Sequence, residues 1–457
     1  MSAAPGETRT AGELAQPGCS MTGFATAVAG LAHDLAVVIF GERDCSNAFQ
    51  RVSSAFSSLR RWPVFTAAIR ETDVVAGAAE ARLEECLRAV IRHRHPRAVL
   101  VLSTCLAEVI GADPGPPCTR VEADTGVRCV AVRTSGLVPR TQAEVADHVA
   151  AVLVGIGSAR RPDRGEPAVP DGGALNLLGY ATGPSREDPR TGVAFRAEVR
   201  AVLARVGLRL NAAAPAGAAL RDWGALPAAG FTAVSDRALF GGLLRLLDRP
   251  DHSAIEVRPP VGLAATDAFL AAIAHGTGRD VAAVADAARA LPAREAAVAA
   301  LARARARHAG RHVAYGIGSM HDFRPEHLAW EGLSHLPALL EAGLEVELLI
   351  QERDRPEVHA RIRRNLAAAG ASGCAYRLFY EPAVAAPVLR DGRFDLAYLP
   401  DFLADQAAAA GVPFLPFGAL DPGYAGAARI DRVLDAARTW TFRERYGRHL
   451  GRGGGDA

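Results

Sequence analysis

The sequence predicts an α/β protein whose units each contain a parallel sheet with crossover helices. Short apolar runs, such as "LAVVIFG" and "PRAVLVLSTC", alternate with longer segments of helical periodicity. In "AEARLEECLRAVIRHR", for example, Leu83, Leu87 and Val90 recur at helical spacing. The order strand, helix, strand is typical of parallel sheets, because two parallel strands need a long connection between them.

The length of the chain, a linker-like segment and the positions of strand-led segments predict three such units. A chain of 457 residues is too long for one hydrophobic core. The segment "IGSARRPDRGEPAVPDG", at about 156–172, is rich in Gly, Pro and charge and predicts a linker. Strand-led units then begin at "ALNLLGY" and at "RHVAYGIGS". We therefore predict α/β domains at 1–158, 172–308 and 309–440, followed by a flexible tail at 441–457.

Composition narrows the class of protein. Hydrophobic residues make up 49% of the chain and charged residues 22%, which is typical of a soluble globular enzyme. The net charge of +2 predicts no broad field for nucleic acid or a membrane surface. The N-terminus lacks the apolar core of a secretory signal, and no run of about 20 apolar residues is free of charge. We therefore expect a cytoplasmic protein without a membrane span.

The cysteines are concentrated in the N-terminal third, since six of the seven precede position 130. In the cytoplasm thiols stay reduced, so grouped cysteines there bind metal more often than they form disulfides. Cys86 on a helix face and Cys129 inside an apolar strand fit ordinary buried thiols, as does Cys374. Cys118, in "PGPPC", is expected in a loop.

Three other cysteines have a different context. Cys19 follows Gly18, Cys45 lies four residues after Gly41, and Cys105 follows an apolar strand. Loops after the carboxyl ends of parallel strands converge at one edge of a sheet, so distant thiols can meet there. Thiolates bind iron–sulfur clusters and zinc, and the absence of a CxxC pair argues against a zinc ribbon. Spacing alone leaves the alternative of three buried thiols open.

These segments resemble the component-1 family of nitrogenases and nitrogenase-like reductases. The cysteine pattern of that family is similar to "GCSMTG", "VVIFGERDCSNAF" and "STCLAEVIGAD" here. Later segments resemble the family in the same order, namely "FTAAIRETDVVAGAAEARLEECL", "LNLLGY", "PPVGLAATDAFLAAIAHGTGR" and "DPGYAGAARI". The resemblance extends over roughly residues 15 to 440.

The resemblance implies three doubly wound Rossmann-like domains with parallel sheets around a central cleft. It also implies a sister subunit in an α2β2 heterotetramer, and a separate ATP-hydrolysing iron protein as electron donor. An iron–sulfur cluster, either 4Fe-4S or a larger P-cluster-like group, would lie at the interface with the sister subunit. The residues assigned to it here are the ligands Cys19, Cys45 and Cys105 and the neighbouring Gly18, Gly23 and Gly41.

The chain also departs from the family's pattern. Phe40 precedes Gly41, where nitrogenases proper usually carry histidine. The region "SDRALFGGLLRLLD" lacks the cysteine that holds the large cofactor, and Pro422 stands where the family's second cofactor ligand, a histidine, is expected. These departures imply either a β-like partner subunit or a member that reduces its substrate without such a cofactor.

His321, in "YGIGSMHDFRPEHLAW", is a weaker candidate for a catalytic role. It follows a Gly-containing loop after a predicted strand, and could donate protons at the edge of a cleft. The alternative is a loop histidine that caps a helix or meets solvent.

The predicted function is that of a subunit in the catalytic component of a nitrogenase-like, ATP-dependent two-component reductase. Substrates reduced within the family include a tetrapyrrole ring, a methylthio-alkane and dinitrogen, and the sequence does not choose among them. Two alternatives stay open: a cofactor-assembly scaffold without turnover, and a cluster-free metal-chelate binding protein.

Overall fold

Three parallel sheets with helices between their strands confirm the predicted fold class. The computed structural model describes residues 34–47, 64–135, 137, 142–158, 170–180, 191–215, 218–318, 329–380, 384–400 and 403–437. Every strand pair in these ranges is parallel. None of the described helices is both long and apolar enough to cross a membrane.

The first sheet has the strand order β2-β1-β3-β4. Its strands are β1 (Leu35–Gly41), β2 (Val64–Ala68), β3 (Ala98–Ser103) and β4 (Arg128–Arg133). The helices of this part are α1 (Glu71–Val75), α2 (Ala79–Arg94), α3 (Cys105–Val109), α4 (Gly115–Thr125) and α5 (Gln142–Ser158). Strands β1 and β3 are buried along their whole length because helices cover both faces, which explains their continuous apolar sequences.

The second sheet has the order β6-β5-β7-β8. Its strands are β5 (Asp171–Tyr180), β6 (Arg209–Pro215), β7 (Ala229–Val234) and β8 (Ser253–Glu256). Its helices are α6 (Thr191–Ala204), α7 (Leu220–Ala225), α8 (Gly241–Leu247), α9 (Leu263–Gly276), α10 (Val281–Arg289) and α11 (Pro292–His308), with 3₁₀ turns at Leu226–Ala228 and Ala238–Phe240.

The third sheet has the order β11-β10-β9-β12-β13. Its strands are β9 (His312–Gly318), β10 (Glu345–Gln351), β11 (Ala375–Phe379), β12 (Leu396–Leu399) and β13 (Phe414–Pro416). Its helices are α12 (Leu336–Glu341), α13 (Pro356–Ala368), α14 (Ala385–Asp391), α15 (Ala404–Ala410), α16 (Gly423–Ala427) and α17 (Ile430–Asp435), and a 3₁₀ helix spans Ala329–His335.

Each sheet contains one point at which the direction of strand addition reverses. The reversals lie between β1 and β3, between β5 and β7, and between β9 and β12. All three units are therefore doubly wound, and in such sheets ligands bind at the carboxyl ends of the two strands that flank the reversal. The three sheets agree with the predicted three units, while the exact domain boundaries stay predictions.

Helix α5 joins the first unit to the second through a shared core. Val149 and Leu153 of this helix pack in one cluster with Leu35 of β1 and Trp223 of α7. The contact of α5 with α7 is too close for side chains, because a Cβ on Gly157 would lie 2.2 Å from the Leu220 carbonyl oxygen. Helix α5 continues to Ser158, so the predicted linker began too early.

Carboxylates fix helices across the unit boundaries. The carboxylate of Asp147 in α5 accepts hydrogen bonds from the backbone N–H groups of Gly242 and Leu243, in the first turn of α8, at 2.7 and 2.9 Å. Glu341 of α12 does the same for α9 at 2.8 and 2.9 Å, and Glu198 of α6 for α16 at 2.9 Å. These bonds satisfy N–H groups that lack partners inside their own helices. Burial raises the pKa of the Glu198 carboxyl, so this contact combines a desolvation cost with two hydrogen bonds.

The glycine contact between α5 and α7 leads to a stability prediction. Gly157→Ala should lower the free energy of unfolding by about 1–3 kcal/mol, because the new methyl group overpacks against the backbone of α7. Gly155→Ala, in the same helix with no atom near its Cβ position, is the matched control. It should raise the free energy by up to about 1 kcal/mol through helix propensity. Urea unfolding measures both, and equal values for the two variants would contradict the contact.

Candidate functional site

Cys45 and Cys105 follow the two strands that flank the reversal in the first sheet. Cys45 lies in a helical turn at 43–47 just after β1, and Cys105 is the first residue of α3, directly after β3 and Thr104. Strands β1 and β3 pair in register up to Phe40 and Ser103, so their carboxyl ends lie side by side. Both cysteines are half-buried. The structure therefore places two of the three predicted ligands at one sheet edge.

Gly41 lets the ends of these two strands come together. The Thr104 backbone N–H donates to the Phe40 carbonyl oxygen at 3.0 Å, which extends the ladder beyond the strands. A Cβ on Gly41 would lie 1.9 Å from Thr104 Oγ1 and 2.5 Å from its Cγ2. Glycine is needed here because the Thr104 side chain occupies this space. A contact of Gly41 with a cluster stays a prediction.

The Thr104 hydroxyl is buried and forms no hydrogen bond within the described part of the chain. A buried polar group without a partner costs about 1–3 kcal/mol, so such groups call for an explanation. A hydroxyl can donate to a sulfur atom, and hydrogen bonds to sulfur are a usual feature of iron–sulfur sites. Together with two half-buried thiols, this donor fits an iron–sulfur cluster at the edge.

Three other hydroxyl groups at this edge donate hydrogen bonds to neighbouring oxygen atoms. Glu108 of α3 accepts hydrogen bonds from the Ser103 hydroxyl at 3.4 Å and from the Ser135 hydroxyl at 2.6 Å. The Thr134 hydroxyl donates to the Ser103 carbonyl oxygen at 2.8 Å. These bonds tie the ends of β3 and β4 to α3, and so hold the helix that begins with Cys105.

Asp73 fixes the chain beyond β2, the strand on the other side of β1. Its carboxylate accepts hydrogen bonds from the Arg70 guanidinium at 2.9 and 3.0 Å and from the Arg70 backbone N–H at 3.0 Å. The side-chain hydrogen bond from Arg70 lowers the pKa of Asp73 to about 2. Arg82 of α2 lies 3.8 Å from the same carboxylate. The pair therefore anchors α1 to α2 next to the cysteine edge.

The three other described cysteines of the first unit are core thiols, as the sequence predicts for two of them. Cys118 and Cys129 are buried in the core beneath α2, and Cys86 packs against it. Burial raises the pKa of Cys86 to about 11, and that of Cys118 and Cys129 to about 12. The predicted loop position of Cys118 was wrong, since it lies within α4, whose first turn contains prolines. Protonated thiols of this kind are poor metal ligands.

Several predicted site residues lie outside the described residues. These are the predicted ligand Cys19, the neighbouring Gly18 and Gly23, and the catalytic candidate His321. Their roles stay predictions. His321 is three residues beyond the end of β9, and β9 flanks the reversal in the third sheet.

The reversal in the second sheet repeats the arrangement of the first without a thiol. Ser235, directly after β7, donates its backbone N–H to the Leu178 carbonyl oxygen of β5 at 2.9 Å. A Cβ on Gly179 would lie 2.1 Å from Ser235 Oγ, and this buried hydroxyl also forms no hydrogen bond with a described residue. Asp236 follows Ser235, as Cys105 follows Thr104. Neither glycine–hydroxyl pair leaves a signal in the sequence, because the partners of each pair lie more than 50 residues apart.

Two segments on which the family resemblance rests contact each other. Tyr424, of "DPGYAGAARI", donates its hydroxyl to the carboxylate of Asp267, of "PPVGLAATDAFL". Arg294 donates two hydrogen bonds to the same carboxylate, at 2.8 and 3.0 Å. Pro422 immediately precedes α16. These segments therefore have a packing role, which joins α16 to α9 and α11.

Away from the cysteine edge, one group of side chains has distances that suit a metal ion. His308, Asp431 and Asp435 have ligand atoms within 4.8 Å of one another. Arg307 pairs with both carboxylates, at 3.0 Å from Asp431, and Arg303 lies 3.4 Å from Asp431. Because the guanidinium groups neutralise the two acids, we interpret this group as an ion-pair network that joins α11 to α17.

Comparison with known proteins assigns the family. Residues 19–381 match the family model described as nitrogenase component 1 type oxidoreductase. The chain belongs to this family. The match covers the two cysteines at the sheet edge and also Cys19, and it confirms the resemblance found in the sequence.

The curated relatives share only part of their length with the chain. It is 36% identical over 121 residues to the nitrogenase iron-molybdenum cofactor biosynthesis protein NifE of Rhodobacter capsulatus, covering 26% of this chain and 25% of that protein. It is 26% identical over 198 residues to the NifE protein of Sinorhizobium fredii, covering 41% of this chain and 36% of that protein. The matched regions thus span about a quarter to a third of these relatives.

Solved structures show the same fold over nearly the whole chain. The structure titled nitrogenase Cp1 at pH 5 is 14% identical and has a TM-score of 0.68, covering 98% of this chain and 91% of that one. The structure titled nitrogenase Cp1 at pH 6.5 is 16% identical with a TM-score of 0.65. At these identities the likeness establishes the fold only.

The close approach at Gly41 leads to a double-mutant prediction. Gly41→Ala should lower the free energy of unfolding by about 1–3 kcal/mol, because its methyl group overlaps the Thr104 side chain. Thr104→Ala removes two of the three overlapping atoms. The double variant should therefore lose less free energy of unfolding than the two single variants lose in sum. Urea unfolding of the wild type and the three variants gives the coupling free energy between positions 41 and 104. Additive losses would show that the two side chains do not compete for space.

The low pKa of Asp73 leads to a prediction about pH. A carboxylate with a lowered pKa stabilises the fold above its unfolded pKa of about 4, and this stabilisation disappears as the pH falls toward 2. Asp73→Asn should therefore be less stable than the wild type at pH 7, and the difference should shrink between about pH 4 and pH 2. Asp251→Asn, at an exposed position, is the control. A difference independent of pH would exclude the ion pair as its cause.

Proposed function

We propose that this chain is the iron–sulfur subunit in the catalytic component of a nitrogenase-like, ATP-dependent two-component reductase. Cys45 and Cys105, together with Cys19, hold a 4Fe-4S or larger P-cluster-like group. The observation that carries the proposal is the position of two half-buried thiols at the strand reversal of a doubly wound sheet, in a chain of this family. The protein acts in the cytoplasm, where thiols stay reduced.

The residues at the edge prepare this site for a cluster. The cluster would supply one-electron transfer at low potential when bound. Gly41 and Thr104 bring the ends of β1 and β3 together, and Glu108 holds α3 through the serines of β3 and of the segment after β4. The packing of Cys45 against the shared core of the first two units limits access of water from that side.

The proposed partners are a sister subunit, which completes the cluster site in an α2β2 heterotetramer, and an ATP-hydrolysing iron protein that donates electrons. Exposed apolar side chains beside the edge support a partner there. Val75, at the end of α1, is 90% exposed, and Val109, at the end of α3, is 72% exposed. His321 is the proposed proton donor to the substrate, from the segment after β9.

A second candidate function is that of a cofactor-assembly scaffold, which would hold a cluster without turnover. The observation that favours it is the partial similarity to NifE proteins, whose name describes cofactor biosynthesis. The segment "SDRALFGGLLRLLD" also has no cysteine and Pro422 stands in place of a histidine, so the chain lacks the two side chains that the resemblance leads us to expect around a large cofactor. Both functions use the same cysteine edge.

Iron and sulfide analysis of protein purified without oxygen tests the shared part of both functions. The wild type should contain both elements, and Cys45→Ala and Cys105→Ala should each lose most of the iron. Cys86→Ala is the matched control, since this thiol belongs to the neighbouring core and should be dispensable for iron. A wild type without iron would leave only the cluster-free alternative. Full iron in Cys45→Ala would exclude that residue as a ligand.

Turnover separates the two candidate functions. The iron-loaded protein is combined with its sister subunit, a cognate iron protein and ATP, and is supplied with tetrapyrrole, methylthio-alkane or dinitrogen substrates. Substrate reduction that requires ATP and both cysteines would support the reductase. Transfer of a cluster to an acceptor protein, without reduction of any of these substrates, would support the scaffold.

A further inference from the structure

Thr104 contacts both of the chain segments that contain the cysteines of the sheet edge. It directly precedes Cys105, and its side chain presses against Gly41, four residues before Cys45. Its backbone forms two hydrogen bonds. The Thr104 N–H donates to the Phe40 carbonyl oxygen, and the Thr104 carbonyl oxygen accepts from the backbone N–H of Glu108 at 3.2 Å. The Thr104 backbone is therefore held between the end of β1 and the first turn of α3.

This hydroxyl differs from three other hydroxyls at the first sheet edge. Ser103, Thr134 and Ser135 each donate to an oxygen of this edge, whereas Thr104 Oγ1 is buried without a hydrogen bond to any residue that the structure describes. A buried donor of this kind needs an acceptor, and the acceptors expected beside it are the sulfur atoms of a cluster or of its thiolate ligands.

We propose that the Thr104 hydroxyl donates a hydrogen bond to a sulfur atom of the bound cluster, and so tunes its reduction potential. The inference rests on the proposed function, since it needs a cluster at this edge. Thr104 is a positioning residue, not a ligand. The hydrogen bond stabilises the reduced cluster, which carries one more negative charge than the oxidised one, and therefore raises the midpoint potential.

The second sheet provides an internal control for this role. Ser235 occupies the equivalent place over Gly179, with a similarly buried hydroxyl, but the residue after it is Asp236. If the hydroxyl served only to fill the space over a strand-end glycine, its removal at Thr104 and its removal at Ser235 would have the same effect on the cluster. A role in tuning the cluster requires a response at Thr104 alone.

The test uses three variants of the full chain with its sister subunit, loaded with iron without oxygen. Thr104→Val keeps the shape of the side chain and removes the hydroxyl. Thr104→Ser keeps the hydroxyl and removes the methyl group, and Ser235→Ala is the control at the second sheet. The measurements are iron per chain, the midpoint potential in a redox titration, and the exchangeable protons coupled to the reduced cluster, by ENDOR in H2O and D2O.

We expect Thr104→Val to keep its iron, to have a lower midpoint potential, and to lose one exchangeable proton coupling. Thr104→Ser and Ser235→Ala should match the wild type. An unchanged potential and unchanged couplings in iron-loaded Thr104→Val would overturn the inference, as would equal shifts in Thr104→Val and Thr104→Ser.

Loss of iron is also decisive. If Thr104→Val loses its iron while Thr104→Ser keeps it, the hydroxyl is needed to hold the cluster, and the inference stands. If both lose it, the side chain acts through its shape, and the inference fails. A wild type without iron would instead refute the proposed function itself.

Discussion

The parallel pairing of β1 with β3, at the reversal of the first sheet, is the constraint on which the candidate site depends. Strands are added in opposite directions from this point. In doubly wound sheets, the connections at such a reversal diverge and leave a crevice between them. Two cysteines that are 60 positions apart thereby reach one edge. The pairing in turn depends on Gly41, because any larger residue would collide with Thr104.

A second set of contacts makes the three units into one frame. Asp147, Glu198 and Glu341 each cap a helix of a neighbouring unit or segment, and α5 shares a core with both of the first two sheets. A half-buried carboxylate is stable in such a place because backbone N–H groups and the positive end of the helix compensate for lost solvation. The edge with the cysteines is thus built on a support that crosses unit boundaries.

The sequence predicted the sheets because strands covered on both faces are continuously apolar, as in β1 and β3. It misplaced Cys118 because adjacent prolines indicate a loop, although the first turn of a helix also accepts them. The position of Cys45 and Cys105 at one edge was predicted because each follows a predicted parallel strand by a few residues. The pairing of Gly41 with Thr104 could not be predicted, since it depends on the distance between two chain segments rather than on local pattern.

The contact of Tyr424 with Asp267 shows that two segments typical of the family stabilise the fold. Both residues belong to segments that carry the resemblance, yet they bind each other and Arg294, and so hold α16 against the second unit. The fold agrees with nitrogenase structures over nearly the whole chain, and these segments contribute packing contacts to it. They do not specify a substrate. The chemistry must come from the strand ends, where the first sheet has cysteines and the second has Ser235 and Asp236. A chain with this distribution keeps the fold of the family and has cysteines after the strands that flank the reversal of the first sheet, but Ser235 and Asp236 after β7 of the second sheet.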